Sequence, residues 1–507
     1  MSASYYDVVV LGSDLAPLTC GALLAKRGFR VLVLGQNEPS PSYEVGPYTL
    51  PRRPFQCAFG RSPVGKRIFP ELGLGQSVRR ITQTADPAFQ VALPGHRFDV
   101  CQDDADLARE MEREFPEVKR PIDDFHKLVG RVDQNLDALL ERDLVLPPET
   151  FMERQRFSRV RKTLDLPRGD SEEDVLGEFP EDHPFRVATH LPARFESDID
   201  PEHLSPLRLL RLYSNCRRGA LTMGGGLPGL RELLIQKIKA HSGQVRLDER
   251  ASELLVQRGQ VTGVQLFGAG EEISCGFVVV GIDVAPMLRL LPDRAVFEVL
   301  LERIGEPLLR HYRYTLNVVI RSEGLPPGMA HSLYLVRPPN AGRVGNELRV
   351  RTEAMGAGHT LLSLETLLPS RKVEDDETFL RGLRPALLSG LRELVPFLDR
   401  HLLLVDSPHD GLPPEGTHTA LDIATATRRG PQTMPAVYSY PVVSTLGLCA
   451  LPVRTPIKHL LFCNAQVVPG LGSEGQLLAA SSAARVITWT ERGKAWMRRR
   501  LWTKVEI

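Results

Sequence analysis

The amino-acid sequence predicts an α/β fold in which a discontinuous parallel-sheet domain alternates with a mixed-sheet α+β domain. The main observation lies in residues 7–35, where an apolar strand, a turn at Gly12, a helix and a second apolar strand follow at the spacing of a βαβ unit. Two later segments, at about 215–290 and 440–490, again combine a glycine-rich turn with a helix and a buried strand. The stretches between them show helical periodicity and alternating strands, which favour a separate domain.

Length and composition limit the class of protein. A chain of 507 residues is too long for one hydrophobic core, so two or three domains are expected. Hydrophobic residues make up 42% and charged residues 25%, as in ordinary globular proteins, and the net charge of +1 argues against a general nucleic-acid binder. The seven cysteines form no CxxC pair, which indicates reduced thiols. No signal peptide or membrane-spanning apolar run is recognised, so a cytoplasmic protein is expected.

The turn after the first strand carries an altered dinucleotide-binding fingerprint. A bound ADP moiety needs the strand, tight turn, helix and parallel strand of residues 7–35, with three glycines in the turn. Only Gly12 is kept, and Asp14 and Pro17 replace the other two glycines. A carboxylate at Asp14 is a good helix N-cap, but it would occupy the anion site that a phosphate needs. Pro17 is tolerated because its missing N–H would have been unpaired in the first helical turn.

Three segments of the chain resemble the flavin-dependent phytoene desaturase and amine oxidase superfamily. They are the βαβ spacing of residues 7–35, the hairpin sequence at 243–266, and residues 459–487, which contain a PGxGxxG core like that of carotenoid desaturases. In that family the first segment binds the ADP part of FAD, the middle one holds the ribose side, and the C-terminal glycine turn meets the flavin. The resemblance therefore implies an FAD-type Rossmann domain with a substrate domain.

The resemblance also implies the domain boundaries. The FAD/NAD(P)-binding-like Rossmann domain is predicted at 1–75, 215–290 and 440–490, the substrate domain at 76–214 and 291–439, and a basic aromatic C-terminal tail at 491–507.

Carried over to this sequence, the family pattern assigns the cofactor-binding residues. They are predicted to be Gly12, Ser13, Asp14, Leu15, Ala16, Gln36, Ala251, Gln466, Gly470, Gly472, Gly475 and Gln476. Two further contacts of the family are altered. Its acidic residue for the adenine ribose falls on Gly35, so Gln36 is expected to substitute, and its Gly-Gly-Arg type loop has become Ser40–Tyr43.

The sequence allows two functions, one as an enzyme and one as a binding protein. The family implies an FAD-dependent oxidoreductase that takes a hydride from an apolar substrate such as a polyene. The alternative is a cofactor-free relative that uses the cleft as a binding or scaffolding surface. No catalytic residue is assigned. The sequence contains neither an HExxH pattern nor a GxSxG elbow, so no metal site and no hydrolase chemistry is predicted.

Glu474 and the C-terminal tail each allow two interpretations. Glu474, inside the C-terminal glycine turn, is interpreted as a surface glutamate that caps the next helix, or as a general acid/base beside a flavin. The tail contains Trp489, Trp496 and Trp502 among basic residues. It is either a peripheral membrane contact with anionic lipid or a helix docked on the protein.

Overall fold

The computed structural model describes residues 5–167, 174–201, 204–268, 270–338, 345–376, 378–416 and 428–505, with side chains up to residue 492. The strands are β1 Tyr5–Leu11, β2 Val31–Leu34, β3 Ser42–Val45, β4 Tyr48–Pro51, β5 Thr82–Thr84, β6 Phe89–Leu93, β7 His96–Val100, β8 Leu221–Met223, β9 Gln244–Arg246, β10 Ala251–Gln257, β11 Gln260–Leu266, β12 Glu272–Val280, β13 Leu308–Arg321, β14 Ser332–Val336, β15 Glu347–Gly356, β16 His359–Pro369, β17 Leu402–Asp406, β18 Glu415–Gly416, β19 Ala436–Ser439 and β20 Leu460–Phe462. The helices are α1 Leu15–Lys26, α2 Pro63–Glu71, α3 Gly75–Ile81, α4 Asp104–Glu114, α5 Lys119–Leu140, α6 Phe151–Arg161, α7 Pro184–Glu196, α8 Pro206–Arg218, α9 Gly226–Ala240, α10 Val284–Leu288, α11 Ala295–Ile304, α12 Ser370–Asp375, α13 Leu383–Leu394, α14 Leu398–His401 and α15 Gly472–Val505.

The first sheet is the predicted Rossmann-type sheet. Its strand order is β10-β11-β12-β1-β2-β9, and β20 pairs with β12. Strand β1 runs parallel to both β2 and β12, as a βαβ unit requires. Every residue of β2 is buried, because α1 packs between α9 and α15 on this sheet. The predicted α/β class, with an FAD-type Rossmann domain and a substrate domain, is confirmed.

The second sheet is mixed and contains strands from both intervening stretches. Its order is β18-β17-β13-β16-β15-β14-β6-β7, with β19 also paired to β13. Most neighbours are antiparallel, and β14 and β6 are parallel. The residues at 332–336, 347–352 and 359–367 have strand-like sequence patterns, and the structure contains β14, β15 and β16 at these positions.

Strand β13 departs from the half-buried strand that its alternation predicts. Its residues from Arg313 to Ile320 are buried on both faces. The polar face is covered by the β3–β4 hairpin, where the Asn317 amide donates to the Tyr43 hydroxyl at 3.2 Å and to the Pro51 carbonyl at 2.8 Å. The alternation of polar and apolar residues in β13 arises because its polar side chains contact other buried polar groups, and not because one face of the strand is exposed to solvent.

The β3–β4 hairpin packs on the second sheet although it lies within the first predicted segment. Its buried residues form one apolar cluster with Val319, Leu361, Leu403 and Leu404. The domain boundaries stay a prediction, although residues 42–51 of the predicted segment 1–75 contact the other sheet.

The predicted tail continues helix α15 without a break. This helix runs from Gly472 to Val505, so the glycine turn and the tail belong to one element. The Arg485 guanidinium lies 4.4 Å from the ring centre of Trp489, which is 40% exposed. The side chains of Trp496 and Trp502 lie outside the described residues, and membrane binding by the tail stays a prediction.

Within the described part of the chain, no helix has both the length and the apolar content needed to cross a membrane.

Candidate functional site

The predicted nucleotide turn lies where β1 meets α1. Gly12 has φ +105°, in the region that favours glycine, and a Cβ there would lie 3.2 Å from the Gly281 carbonyl carbon. Asp14 caps α1, because its Oδ1 accepts a hydrogen bond from the Leu15 N–H at 2.8 Å. The sequence-based assignment of Asp14 as an N-cap is confirmed.

A second carboxylate, Glu38, lies on the same turn. Its Oε2 accepts from the Ser13 N–H at 2.6 Å and from the Ser13 hydroxyl at 3.1 Å. Glu38 reaches back to this position because Gln36 and Asn37 both have positive φ, at 52° and 63°. A backbone amide at the start of α1 would bind a phosphate in a nucleotide complex. In this protein the Ser13 amide is already bound by a carboxylate of the chain.

The electrostatics of Glu38 reflect its burial. Burial, followed by the nearby Asp14 carboxylate, raises the pKa of Glu38 to about 7, although the Ser13 hydrogen bonds and Arg231 lower it. Arg231 Nη2 donates to the Ser13 hydroxyl at 2.7 Å. Asp14, Ser13, Glu38 and Arg231 therefore form one polar cluster at the start of α1.

The ribose side of the predicted FAD site is also altered. A Cβ at Gly35 would lie 2.0 Å from the Leu247 carbonyl oxygen, so the acidic residue of the family has no room there. Gln36, expected to substitute, has a buried Nε2 without a hydrogen-bond partner among the described residues. The lack of space at Gly35 and the Glu38 carboxylate on the Ser13 amide do not fit the ADP part of FAD.

The glycines of the C-terminal turn are surrounded by protein atoms. A Cβ at Gly472, whose φ is +52°, would lie 2.0 Å from the Glu196 carbonyl oxygen. A Cβ at Gly475 would lie 2.0 Å from the Val468 carbonyl oxygen, and one at Gly470 would lie 2.9 Å from the Arg208 side chain. Substituting Gly472 by valine would therefore disturb the fold. Loss of a ligand in such a variant would not show that Gly472 contacts the ligand.

The interpretation of Glu474 as a surface residue is wrong. Glu474 is only 1% exposed, and Arg211 and Asn215 of α8 contact its carboxylate. Its carboxylate accepts from Arg211 Nε at 2.9 Å and Nη2 at 2.5 Å, from Asn215 at 2.8 Å, and from the Ser62 hydroxyl. Burial alone would raise the pKa of Glu474, but Arg211 and the hydrogen bonds hold it below its usual value. Arg211 also binds Asp133 and Asp137 of α5, so Glu474 belongs to a buried ion network.

A cavity of about 410 Å³ lies between the two sheets, against the starts of α1 and α15. Of the predicted cofactor residues, Asp14, Leu15 and Gln476 line this cavity, together with charged and polar residues that sequence reasoning did not single out. The charged ones are Glu38, Arg52, Arg53, Glu196, Asp198, Arg231, Asp283 and Arg349, and the polar ones include Gln56.

The other predicted residues lie behind the cavity wall or away from it. Ser13 and Ala16 are buried behind the wall formed by Asp14 and Leu15. Gln466 is buried and accepts from the Val284 N–H at 2.9 Å. Ala251 starts β10, outside the residues that line the cavity. These assignments as cofactor contacts stay predictions.

Three carboxylates face the same part of the cavity. Burial, with Asp198 and Asp14 nearby, raises the pKa of Asp283 to about 6, and only the Tyr438 hydroxyl, at 3.0 Å, lowers it. Burial also raises the pKa of Asp198, against the effect of Arg53 at 3.9 Å. Among the described residues, neither Asp14 nor Asp283 has a basic group within 4.0 Å. When all three are ionised, Arg53 offsets the charge of Asp198, whereas Asp14 and Asp283 have no such ion pair among the described residues.

Two buried polar side chains in the cavity wall lack protein partners. Gln56 is 2% exposed, and neither its Nε2 nor its Oε1 has a partner in the described chain. Arg52 Nη1 is likewise unpaired, although Arg52 Nε donates to the Ser40 carbonyl at 2.8 Å. An unsatisfied buried polar group costs about 1–3 kcal/mol. A ligand with hydrogen-bonding groups would remove that cost.

Comparison with known proteins defines the fold. No family model matches the sequence, and no curated protein matches it either. An oxidoreductase from Methanosarcina mazei superposes with a TM-score of 0.58 at 14% identity, over 94% of this chain and 100% of that one. Cyclohexylamine oxidase from Brevibacterium oxydans gives 0.57 at 14% identity, over 96% and 99% of the chains. Wild-type putrescine oxidase bound to putrescine gives 0.58 at 13% identity, also over 96% and 99%. The chain has the fold of flavin-dependent oxidoreductases.

The residues missed by sequence reasoning differ in whether the sequence gives a signal for them. Glu38 lies three positions beyond Gly35, where the family has its acid, and Asp283 lies three positions beyond the end of β12. An acidic residue just after a parallel strand is a signal that could have identified Asp283. Gln56 and Asp198 lie in irregular segments, and their sequence surroundings give no such signal.

The raised pKa of Glu38 predicts a pH-dependent stability. The pKa of Glu38 is about 7 in the folded protein and 4.5 in the unfolded chain, so Glu38 ionises at a lower pH when the chain is unfolded. Its contribution to the free energy of unfolding is therefore fully present below pH 4.5 and is lost as pH rises through 7. Glu38→Gln removes this loss. Relative to wild type, its free energy of unfolding should rise by up to about 3 kcal/mol between pH 4 and pH 8.

Denaturant unfolding at the two pH values measures this difference. Glu302→Gln, the same change at an exposed glutamate of α11, is the matched control and should show no such difference. An equal pH dependence for Glu38→Gln and wild type would contradict the ionisable contact at Ser13.

Proposed function

We propose that this protein binds a small organic amine, without FAD, in the cavity between its two sheets. We infer the absence of FAD from the hydrogen bond between the Ser13 amide and the Glu38 carboxylate. A diphosphate brought to this amide would meet Glu38 and Asp14, two like charges at the position where it needs hydrogen-bond donors. Fold alone does not fix a function, so the cavity residues decide the ligand class.

The cavity favours a cation. Asp14, Asp198 and Asp283 repel one another, and a protonated amine placed between them would lower the free energy of all three ionised carboxylates. Tyr438 holds the Asp283 carboxylate in place through its hydroxyl, which leaves the other carboxylate oxygen for a ligand. The unpaired Gln56 Oε1 is an additional acceptor for an ammonium N–H.

The rest of the wall suits an alkyl or ring portion. Pro54, Phe55, Leu227 and Met434 line the same cavity. A pocket with apolar walls and a few polar groups is the usual form of a small-molecule site. Two proteins of this fold are named for the amines putrescine and cyclohexylamine. This supports amines of that size as the first compounds to test.

The second candidate is the FAD-dependent oxidoreductase that the sequence resemblance implies. The cavity at the starts of both α1 and α15 favours it, because helix N-termini attract anions. FAD could bind only if Glu38 left the Ser13 amide. The apolar or polyene substrate of this candidate stays a proposal, since the polar residues of the cavity give it no support.

Amine binding is tested by isothermal titration of the full chain with putrescine and with cyclohexylamine. Asp283→Asn should weaken binding by about tenfold or more, because it removes one charge-assisted hydrogen bond. Asp182→Asn makes the same change at an exposed loop position and should leave affinity unchanged. Equal affinities for wild type and Asp283→Asn would contradict the proposed site.

The affinity should also depend on pH with a defined sign. Asp283 has a pKa of about 6 and Glu38 of about 7, so both lose protons between pH 5 and pH 8 and the cavity becomes more negative. Affinity for an amine that stays protonated over this range should therefore rise with pH. In Asp283→Asn the rise should be smaller. Affinity that falls as pH increases would exclude a cation as the ligand.

Absorbance of the purified protein separates the two candidates. The wild-type protein should show no flavin bands, either as purified or after incubation with FAD and gel filtration. The double variant Asp14→Gly/Glu38→Gln removes both carboxylates from the turn, and any affinity for FAD should be greater in this variant than in wild type. Stoichiometric flavin in the wild-type protein would support the oxidoreductase and exclude the cofactor-free function.

A further inference from the structure

A second cavity, of about 760 Å³, lies on the other side of the segment that contains Arg53, Pro54 and Phe55. Those three residues and Leu227 line both cavities. The far wall of the second cavity is formed by β15 and by the glycine loop 224–226 before α9. Neither the predicted FAD site nor the amine proposal uses this loop.

The charge of the second cavity is opposite to that of the first. Three arginines line it, Arg53, Arg80 and Arg351, against one carboxylate, Glu353. Burial raises the pKa of Glu353. His331 adds no charge, because burial and the nearby Arg351 lower its pKa to about 3. The cavity is therefore positive at neutral pH.

The main evidence for a ligand in the second cavity is the environment of Arg351. It is only 7% exposed, and no hydrogen bond or ion pair within 4.0 Å joins its guanidinium to any described residue. Burial and the neighbouring Arg349 lower its pKa to about 10, so Arg351 is still a cation at neutral pH. Glu196 and Glu353 are near enough to raise this pKa, but neither forms an ion pair with Arg351, and a little-exposed guanidinium without an ion pair in a cavity wall indicates a ligand that pairs with it.

The start of α9 adds hydrogen-bond donors to the same wall. No side chain caps this helix, and its first turn has no acidic residue. Gly225 and Gly226 have φ values of +73° and +54°. A Cβ at Gly225 would meet only Gly229, at 3.5 Å, and one at Gly226 would meet only Pro228, at 3.6 Å, so the nearest atoms at both positions belong to the first turn of α9. Helix N-termini of this kind bind anions, and phosphate in particular.

We infer that this second cavity binds the phosphate group of a small molecule, between Arg351, Arg80 and the start of α9. A phosphate has enough acceptor oxygens to pair with both guanidinium groups and with backbone N–H groups at once. This site is independent of the amine proposal, because Arg351, Arg80 and the glycine loop do not line the first cavity.

Titration of the full chain tests the site, with inorganic phosphate, glycerol 2-phosphate and acetate as probes at constant ionic strength. Phosphate and glycerol 2-phosphate should bind, and acetate should bind at least about tenfold more weakly, because it lacks the further oxygens. Tighter binding of the ester identifies a phosphorylated metabolite as the ligand, and equal binding identifies free phosphate. Acetate binding as tightly as phosphate would overturn the inference.

Variants distinguish this site from a structural role of Arg351. Arg351→Met should weaken phosphate binding by about tenfold or more, and should raise the melting temperature of the ligand-free protein, because it removes an unpaired buried charge. An arginine with a structural role would give a lower melting temperature. Arg80→Gln, at an exposed position, should fold normally and weaken phosphate binding severalfold. Arg109→Gln, at an exposed arginine of α4, is the matched control.

Unchanged phosphate affinity in either Arg351→Met or Arg80→Gln would overturn the site. If Arg351→Met did not fold, the comparison of Arg80→Gln with Arg109→Gln would decide alone.

Discussion

The contact between Glu38 and the Ser13 amide determines what the rest of the site can do. In a dinucleotide-binding fold the first amides of α1 are the donors for a diphosphate. Here the donor at Ser13 is bound at 2.6 Å by a buried carboxylate, and Asp14 binds the next one. The scaffold therefore keeps the helix and its dipole, but these stabilise carboxylates of the chain itself. The cavity in front of α1 is left with negative charge where a flavoprotein of this fold needs positive potential.

Around this turn, the buried charges fall into two kinds. Those of the first kind are paired, such as Glu474 with Arg211 and Glu365 with Arg349, and removing one partner would leave an unpaired buried charge. They fix the positions of α8, α15 and the second sheet. The second kind, which includes Asp283 and Arg351, has no ion pair among the described residues. Groups of the second kind line the cavities and have no ion pair, so a ligand there would supply the opposite charge.

The sequence predicted the parts of the structure that depend on local periodicity. The βαβ unit, β12, β20 and the N-cap at Asp14 all follow from patterns within one or two elements. Other features depend on contacts across the fold. Glu38 reaches Ser13 after two non-glycine residues with positive φ, and the buried Glu474 is bound by Arg211 and Asn215 of α8. The close approach of Glu196 to Gly472 is also tertiary, so a motif resembling a flavin turn could equally be a packing contact.

The two cavities are best understood together, because one short segment separates them. Arg53 lines both, and its charge is balanced by Glu365 at 3.2 Å and by Asp198 at 3.9 Å. With Arg53 compensated in this way, each cavity takes its sign from the residues of its own far wall. Those residues are Asp14 and Asp283 on one side and Arg351 on the other. Pro54 and Phe55 line both cavities and, like Arg53, belong to the short segment between them. The fold thus contains two cavities, and the unpaired charged groups in their walls have opposite sign.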